Sequence, residues 1–405
     1  MQQNEETLPS TILVSATPNY YFVKEFLGIT DDDIKSIDSF NDKTYNIEFV
    51  DYDETLEDEN NPLYQKQATN TFVISNTAIT AQKSFITNQE KENSLLTHSK
   101  FTPADREYIF EKVFDSFKEN GTHKFDIIRS GPIIQAALNI SCENMISEMD
   151  IAENILQRLG RLNRFGENEI ATLKIAITDS IKTGKQTGKA AKFLGRRFGL
   201  QSSKVWYEFL SDKLESNADI TINELYQWYQ EFYENEAYVK MIAQDFIALL
   251  KDGVRVIEGN IFEPKRIKLS KNSQIKLKKH SLRGNSRFVN MAVCDIKNRQ
   301  DTKIRNEYLD TEITMGVNEI TGYGGIGTNL LNFMKSRHHN LIDGPNLTRM
   351  PYNTILNNAR DPEKQIYVSY APQGLEAINY PAEAEAIYYL QGINQAIGIM
   401  ALSKL

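Results

Sequence analysis

The chain is poor in the residues that build metal sites and disulfide scaffolds. Its 405 residues include 2 cysteines and 5 histidines. Cys142 and Cys294 lie far apart in the sequence, which excludes a disulfide framework and a zinc site built on cysteine pairs. The histidines form no HExxH pattern and no His-Asp dipeptide. No metal site is therefore predicted, and a metal-dependent nuclease or protease is not expected within this chain.

Long apolar runs are also missing. No stretch approaches the about 20 apolar residues of a membrane-spanning helix, so no membrane partner is expected. The first residues read MQQNEE, without the basic and apolar regions of a signal peptide, and the cytoplasm is the predicted location. With 40% hydrophobic and 25% charged residues the composition is that of a globular protein, and the length favours two or three domains.

The net charge of −8 is unevenly distributed along the chain. Residues 31–60 hold twelve acids against two lysines, whereas residues 182–204 hold seven basic residues and no acid. A second basic stretch, residues 265–305, has thirteen lysines and arginines against two aspartates. Such stretches bind polyanions in some proteins and are solvated faces in others, and the sequence leaves both interpretations open.

In the first half of the chain, short apolar runs typical of strands alternate with segments whose apolar residues have helical spacing. This alternation predicts a parallel α/β sheet. Strands are predicted at residues 11–16, 45–50, 71–75, 126–129 and 171–178, and helices at residues 20–27, 100–117 and 149–164.

The second half is predicted to be mostly helical at first and irregular later. Residues 190–214 and 222–252 have helical spacing, and in the latter an aromatic stripe is interpreted as core. Beyond residue 264 a short strand is predicted at 287–294 and a helix at 382–402.

The stretch 148–166, EMDIAENILQRLGRLNRFG, carries the most informative pattern. In a helix, Gln157, Arg161 and Arg164 would project together from one face, opposite an apolar face. Gly160 inside that helix would cost about 1 kcal/mol, which indicates close packing rather than a freely solvated surface helix. Two guanidinium groups on one edge suit a polyphosphate, because they can neutralise charge on a transferring phosphoryl group.

These residues resemble a known family. QRLGRLNR at 157–164 resembles motif VI of superfamily 2 helicases, and Ser-Ala-Thr at 15–17 resembles their motif III. Residues 75–77 resemble the Asn-Thr of motif IV. The segment LLTHSKFTPADR at 95–106 is similar to the His-Ser-(Arg/Lys)-Phe-Thr segment of the CRISPR-associated helicase of type I interference systems. The resemblance covers about residues 10–180.

The resemblance implies a role for each residue that matches a motif. Arg161 and Arg164 would be arginine fingers, Ser130 or Gly131 would replace the phosphate-binding threonine of motif V, and Asn139 would face the nucleotide. The implied site residues are Arg161, Arg164 and Gln157 for catalysis; Ser15, Ala16 and Thr17 for coupling nucleotide state to lobe closure; Asn76, Thr77, His98 and Ser130 for nucleic-acid binding; and Asn139 for cofactor binding.

Two departures from the family pattern stand out. Motif V reads QAALNI at 135–140, with Ala137 and Asn139 where the family has glycine and an acid. In addition, no Walker A loop precedes Ser15. The nearest lookalike, TGKQTGKA at 183–190, lacks the first glycine and the final Ser/Thr of GxxxxGK[ST]. The chain is therefore expected to be a fragment or one subunit of a split enzyme, and hydrolysis of ATP by this chain alone is not expected.

The implied fold is a RecA-like parallel-sheet lobe, the second lobe of a helicase related to P-loop NTPases, with a helical insert and a C-terminal α+β domain. The expected divisions are residues 1–42, a remnant of the first lobe and a linker; 43–180, the second lobe; 181–263, the helical region; and 264–405, an accessory domain.

The implied function is that of the C-terminal part of an ATP-dependent single-stranded DNA translocase that unwinds target DNA in antiviral defence. ATP and Mg²⁺ would be cofactors, bound mostly by a first lobe supplied elsewhere. The expected partners are single-stranded DNA, a guide-RNA surveillance complex, and a first lobe or nuclease. Two alternatives stay open: a lobe of another superfamily 2 helicase, and a non-enzymatic nucleic-acid-binding or complex-assembly remnant.

Overall fold

The computed structural model describes most of the first 261 residues and separate strands beyond them. The described residues are 12–101, 103–135, 138–197, 199–216, 219–261, 288–292, 294–296, 301–304, 313–316, 347–351, 366–370 and 385–401.

The largest element is a seven-stranded sheet in the first part of the chain. Its strands are β1 (Thr44–Asp51), β2 (Thr71–Ile74), β3 (Ser94–Thr97), β4 (Ile127–Ser130), β5 (Asn144–Glu148), β6 (Ile170–Ile177) and β7 (Asp219–Thr221). The strand order is β3-β4-β2-β5-β6-β1-β7. All neighbours pair in parallel except β7, which is antiparallel to β1.

Three adjacent strands at one end of the sheet, β3, β4 and β2, are buried because both faces of the sheet are covered. All residues of β2, β3 and β4 are buried, as expected for a parallel sheet between helical layers. The α/β fold predicted from the sequence is confirmed, and the strands predicted at 71–75, 126–129 and 171–178 agree with β2, β4 and β6 to within about a residue.

The described helices cover the sheet and then form a separate helical layer. They are α1 (Tyr20–Glu25), α2 (Ala78–Asn88), α3 (Pro103–Phe117), α4 (Ala152–Leu159), α5 (Asp179–Lys182), α6 (Lys189–Arg197), α7 (Leu200–Ser216), α8 (Ile222–Glu234) and α9 (Glu236–Ile261). Within this part of the chain, no helix combines the length and the apolar character that crossing a membrane requires.

Three predictions about the first 261 residues are corrected. Residues 12–16 form no strand, and Ile12, Leu13 and Val14 are 85%, 61% and 92% exposed because no neighbouring strand covers them. The helix predicted at 149–164 is the shorter α4, which ends before Gly160. Each long helix predicted after residue 190 is two helices, α6 with α7 and α8 with α9.

The aromatic stripe of α8 is core, as predicted. Tyr229 and Phe232 are each 1% exposed, and both pack edge-on against the buried ring of Trp206. Because β7 pairs with β1 immediately before α8 begins, this helical layer is joined directly to the sheet.

The C-terminal residues that the structure describes are strands. A six-stranded sheet has the order β11-β10-β9-β13-β14-β15, and β12 pairs with β8. The strands are β8 (Phe288–Ala292), β9 (Cys294–Ile296), β10 (Asp301–Ile304), β11 (Ile313–Gly316), β12 (Leu347–Pro351), β13 (Ile366–Tyr370), β14 (Glu385–Gln391) and β15 (Ala396–Ala401). The helix predicted at 382–402 is therefore wrong. The aromatic and β-branched residues of this stretch pair as the antiparallel strands β14 and β15.

The β14–β15 hairpin contacts the edge strand β3 of the first sheet. The amide N–H of Leu96 donates to Gln395 Oε1 at 3.1 Å, and Gln395 Nε2 donates back to the Leu96 carbonyl at 2.9 Å. Gly398 has φ +83° and lies against His98, where a Cβ atom would come within 2.9 Å of the imidazole ring. The C-terminal strands are thus joined to the sheet through side-chain and backbone hydrogen bonds.

Candidate functional site

The arginines of the resemblance lie in a tight turn after α4. Gly160 is the C-cap of α4, and residues 160–164 form what we call the arginine turn. The Cys142 N–H donates to the Arg161 carbonyl at 3.0 Å, and the Arg164 N–H donates to Ser141 Oγ at 2.9 Å. Asn163 has φ +45°, a left-handed conformation that asparagine tolerates well. The turn is therefore fixed to the segment that leads into β5.

The two guanidinium groups are held by backbone and amide oxygens. Arg161 donates to the Gly160 and Gln135 carbonyls at 3.3 and 3.2 Å. Arg164 donates to the Gly160 carbonyl at 3.0 Å and to Asn139 Oδ1 at 2.5 Å. Among the described residues, neither arginine forms an ion pair with a carboxylate. Both positive charges are thus positioned without being neutralised.

Arg161 in particular has unused binding capacity. Its Nε is buried and has no hydrogen-bond partner in the structure. Burial lowers the pKa of Arg161, and the neighbouring charge of Arg164 lowers it further. Arginine nevertheless stays protonated, so an anion beside the pair would relieve the repulsion between the two positive charges. The arrangement fits a polyphosphate.

The Ser-Ala-Thr residues meet this same helix. Gln157 Nε2 donates to Thr17 Oγ1 at 3.0 Å, and the Thr17 N–H donates to Ser15 Oγ at 3.2 Å. Thr17 is buried, whereas Ser15 and Ala16 are exposed. Thr17 of the predicted coupling segment and Gln157 of the predicted catalytic set are therefore in contact, and the role of each stays a prediction.

The residues after Thr17 are held by α4 and α8. Asn19 Nδ2 donates to Glu153 Oε1 at 2.7 Å, and Tyr233 Oη donates to the same oxygen at 2.5 Å. Tyr229 Oη donates to the Pro18 carbonyl at 2.8 Å. Burial raises the pKa of the Glu153 carboxyl. Any displacement of this segment would therefore be transmitted to both helices.

Arg158 is a residue of this site that the sequence reasoning missed. It is fully buried, although its neighbour Gln157 is exposed. Its guanidinium donates five hydrogen bonds, to Gln135 Oε1, Ser147 Oγ, the Glu148 carbonyl, Asn76 Oδ1 and Asp150 Oδ2. One side chain therefore connects the ends of β2 and β5 to the segment that also holds Arg161.

The acids around Arg158 are buried as well. Burial raises the pKa of both Glu148 and Asp150, and the positive charge of Arg158 lowers both. Glu148 accepts hydrogen bonds from the Asn76 N–H at 2.7 Å and from Tyr52 Oη at 3.0 Å. A buried charge cluster of this kind needs every partner, because each unpaired ion would cost several kcal/mol.

The predicted nucleic-acid-binding residues lie near the ends of β2, β3 and β4. Asn76, His98 and Ser130 are buried, and Thr77 is the N-cap of α2. Asn76 Nδ2 donates to the Met149 carbonyl at 2.8 Å, and Ser130 Oγ bonds with Thr97 Oγ1 at 2.7 Å. In this conformation these side chains bond to protein rather than face solvent, so their contact with a strand stays a prediction.

His98 bonds across to the C-terminal hairpin. Its Nε2 lies 2.8 Å from the Ile397 carbonyl, and its Nδ1 accepts from the Lys100 N–H at 3.0 Å. Burial lowers the pKa of His98 to about 3, and the charge of Lys100 contributes to the decrease. The imidazole is therefore neutral at physiological pH and joins the two sheets.

Residues expected near the nucleotide are only partly described. Ala137 of the predicted motif V lies outside the described residues, whereas Asn139 is exposed and holds Arg164. Across the described residues there is no group of three or more His, Cys, Asp or Glu side chains that could hold a metal ion. The cationic donors of the arginine turn suit phosphates and not Mg²⁺, so we derive no step through a metal.

The comparison of sequences supports the resemblance found above. Residues 67–167 match the family model of the C-terminal part of the CRISPR-associated nuclease/helicase Cas3. This match includes β2, β3 and the arginine turn, and it confirms the resemblance to a type I CRISPR helicase. No curated protein sequence matches the chain.

Solved structures share the fold. T. fusca Cas3 has a TM-score of 0.56 at 14% identity, covering 91% of this chain and 44% of that protein. T. fusca Cas3-ATP has a TM-score of 0.55 at 13% identity over the same shares of the two chains. A chain of a CRISPR RNA-guided surveillance complex in a pre-nicking state has a TM-score of 0.51 at 14% identity, covering 91% of this chain and 46% of that one. This chain thus spans less than half the length of the structures it matches.

Proposed function

We propose that this chain is the second RecA-like lobe, with accessory regions, of an ATP-dependent DNA helicase of the type I CRISPR kind. The observation that carries the proposal is the arginine turn, in which Arg161 and Arg164 keep their charges without a carboxylate partner. The family match at residues 67–167 and the fold shared with Cas3 support the same assignment.

In this proposal ATP lies between two lobes, and its phosphate-binding loop belongs to the other lobe. GxxxxGK[ST] does not occur in this sequence. Arg161 and Arg164 stabilise negative charge on the transferring phosphoryl group. Asn139 holds Arg164 in place, and Arg158 fixes the helix that precedes the turn.

The contact between Gln157 and Thr17 gives a route from nucleotide to lobe movement. Thr17 lies on the segment that α4 and α8 hold, so a shift of the arginine turn on hydrolysis would move that segment. We propose that this movement advances the lobe along single-stranded DNA near Thr77 and the ends of β2 to β4. Residues 181–263 and 264–405 then serve as accessory regions.

Two finer assignments follow the relatives' printed descriptions. One matched structure is Cas3-ATP, which supports ATP as the nucleotide. Another is part of a CRISPR RNA-guided surveillance complex, which supports recruitment of this chain to such a complex in antiviral defence. A non-enzymatic role is disfavoured because the arginine turn holds two neighbouring arginines without a carboxylate partner, and the family match covers this turn.

The test is DNA-stimulated ATP hydrolysis by this chain mixed with a polypeptide that contains a first RecA-like lobe with the GxxxxGK[ST] loop, from the same source. Hydrolysis is expected in the mixture, and Arg161→Ala should lower kcat by about 10³-fold or more, the magnitude of a lost arginine finger. Arg161→Lys should stay impaired, because lysine keeps the charge but loses the planar fork.

The matched control is Lys83→Ala, which removes a cation that Glu57 already pairs at 2.7 Å. This variant should keep the kcat of the unmodified chain. The proposal fails if the two polypeptides form a complex that does not hydrolyse ATP, or if Arg161→Ala hydrolyses ATP as fast as the control.

A further inference from the structure

We propose that an exposed basic face on α6 binds the phosphate backbone of duplex DNA. This face, which we call the α6 basic face, consists of Lys189, Lys192 and Arg196 on the helix and of Lys185 in the segment between α5 and α6, all of them exposed. Lys189, Lys192 and Arg196 follow the i, i+3, i+7 spacing that places side chains on one side of a helix. The proposal rests on the function proposed above and names a further part of its substrate.

The α6 basic face carries charges that the protein does not neutralise. At either end of the basic stretch a lysine is paired, Lys182 with Asp51 and Lys204 with Glu208. The four residues of the α6 basic face form no ion pair with any described residue. A solvated face normally mixes both signs, whereas residues 182–204 contain no acid.

The helix that carries these charges is rigidly held. Glu54 accepts hydrogen bonds from the Lys189 and Ala190 N–H groups at 2.5 and 2.7 Å, so its two carboxylate oxygens cap the start of α6. Ala190, Ala191 and Leu194 bury the opposite side of the helix. Lys189, Lys192 and Arg196 are therefore presented at the fixed spacing of a helix.

The spacing suits a regular array of phosphates. Lys189 and Arg196 lie about 10 Å apart along the helix axis, from a rise of about 1.5 Å per residue. The phosphates of one strand are spaced about 3.4 Å apart along the axis of a duplex, so the face spans about three of them. Phe193, the only aromatic residue of α6, is half-buried, so α6 offers no exposed ring for the base stacking typical of single-strand binding.

The position of the face agrees with the proposed path of the substrate. α5 follows β6 directly, and Lys182 at its end pairs with Asp51 at the end of β1. Glu54, three residues beyond Asp51, caps α6. The face therefore begins at the same edge of the sheet as the ends of β2 to β4, and a duplex that feeds a strand to that edge would lie beside it.

The experiment measures equilibrium binding of this chain to a duplex and to a single-stranded oligonucleotide of equal length, without ATP, over a series of salt concentrations. The variant is Lys189→Gln/Lys192→Gln/Arg196→Gln. The slope of log K against log salt is negative, and losing three phosphate contacts should make it about 2.7 less negative for the duplex. The same loss should raise Kd at 0.1 M salt by up to about 500-fold.

The matched control removes the same net charge elsewhere. Lys43, Lys83 and Lys174 each pair with a carboxylate at 2.6 to 2.9 Å, and their triple replacement by glutamine should leave the slope nearly unchanged. Equal slopes for the α6 variant and the control would overturn the inference, as would a loss confined to the single strand. Because no ATP is present, this outcome is separate from failure of the proposed hydrolysis, which the ATPase assay alone decides.

Discussion

Replacing Arg158 by methionine is expected to lower the free energy of unfolding by about 3–5 kcal/mol, the cost of leaving one member of a buried ion pair without its partner. Arg158 is fully buried and Asp150 is 1% exposed. The other acceptors of Arg158 are neutral oxygens, including the Glu148 carbonyl, and lose less than a carboxylate does. The Glu148 carboxylate keeps its own bonds from the Asn76 N–H and from Tyr52. Most of the cost therefore falls on Asp150.

The magnitude is large against the total stability of a domain, about 5–15 kcal/mol. For a unit of 150–250 residues it corresponds to a decrease in Tm of about 6–20 °C. Urea denaturation at pH 7.5 would measure it directly. A double-mutant cycle with Asp150→Asn isolates the pair, and the double variant should recover at least half of the lost free energy, because it removes the uncompensated charge.

The pH dependence gives an independent check. Burial raises the pKa of Asp150, and without Arg158 the pKa would rise further. A carboxyl with a raised pKa in the folded state favours folding at low pH, and that contribution is lost as pH rises through the folded pKa. The free energy of unfolding that Arg158→Met loses relative to the unmodified chain should thus be smaller at pH 5 than at pH 7.5. A deficit below about 1 kcal/mol at pH 7.5, or a double variant no more stable than the single one, would refute this account.

Two further predictions concern contacts outside this network. The pKa of His98 is about 3 in the folded chain instead of 6.5, so between these pH values only the unfolded chain binds the proton. The free energy of unfolding should therefore decrease as the pH is lowered from 6.5, by at most about 1.4 kcal/mol per pH unit. His98→Gln should flatten that slope in urea denaturation between pH 6.5 and 4, and an unchanged slope would contradict the assignment. Thr17→Val and Gln157→Leu should show a coupling energy of about 0.5–1.5 kcal/mol in a denaturation cycle, whereas additive effects would mean that their hydrogen bond contributes nothing.

The parallel sheet could be predicted because its strands are buried on both faces. Phe72 to Ile74 of β2 and Ile127 and Ile128 of β4 are short apolar runs, and this pattern depends only on local composition. The motifs of the resemblance select Thr17 and Gln157 for separate roles, and in the structure the two side chains are in contact at 3.0 Å. Neither the resemblance nor hydrophobic periodicity predicts that contact, because it depends on the tertiary structure.

The end of α4 could not be read from periodicity, because Leu162 continues the apolar spacing although the chain has already turned. The cues were Gly160 and Asn163, which suit a C-cap and a left-handed residue. Arg158 could not be found for a related reason: its burial depends on partners such as Asn76, which is 82 positions away in sequence. Only the tertiary structure shows which of the arginines is structural.

The pairing of Gln395 with Leu96 has a consequence for solubility. β3 is the outermost strand of its sheet, it is wholly apolar in its centre, and an open edge of this kind is a template for intermolecular β-pairing. The amide of Gln395 occupies both the N–H and the carbonyl of Leu96, much as another strand would. A chain shortened before the β14–β15 hairpin would therefore expose the unpaired backbone groups of β3. We expect such a chain to aggregate before it loses secondary structure.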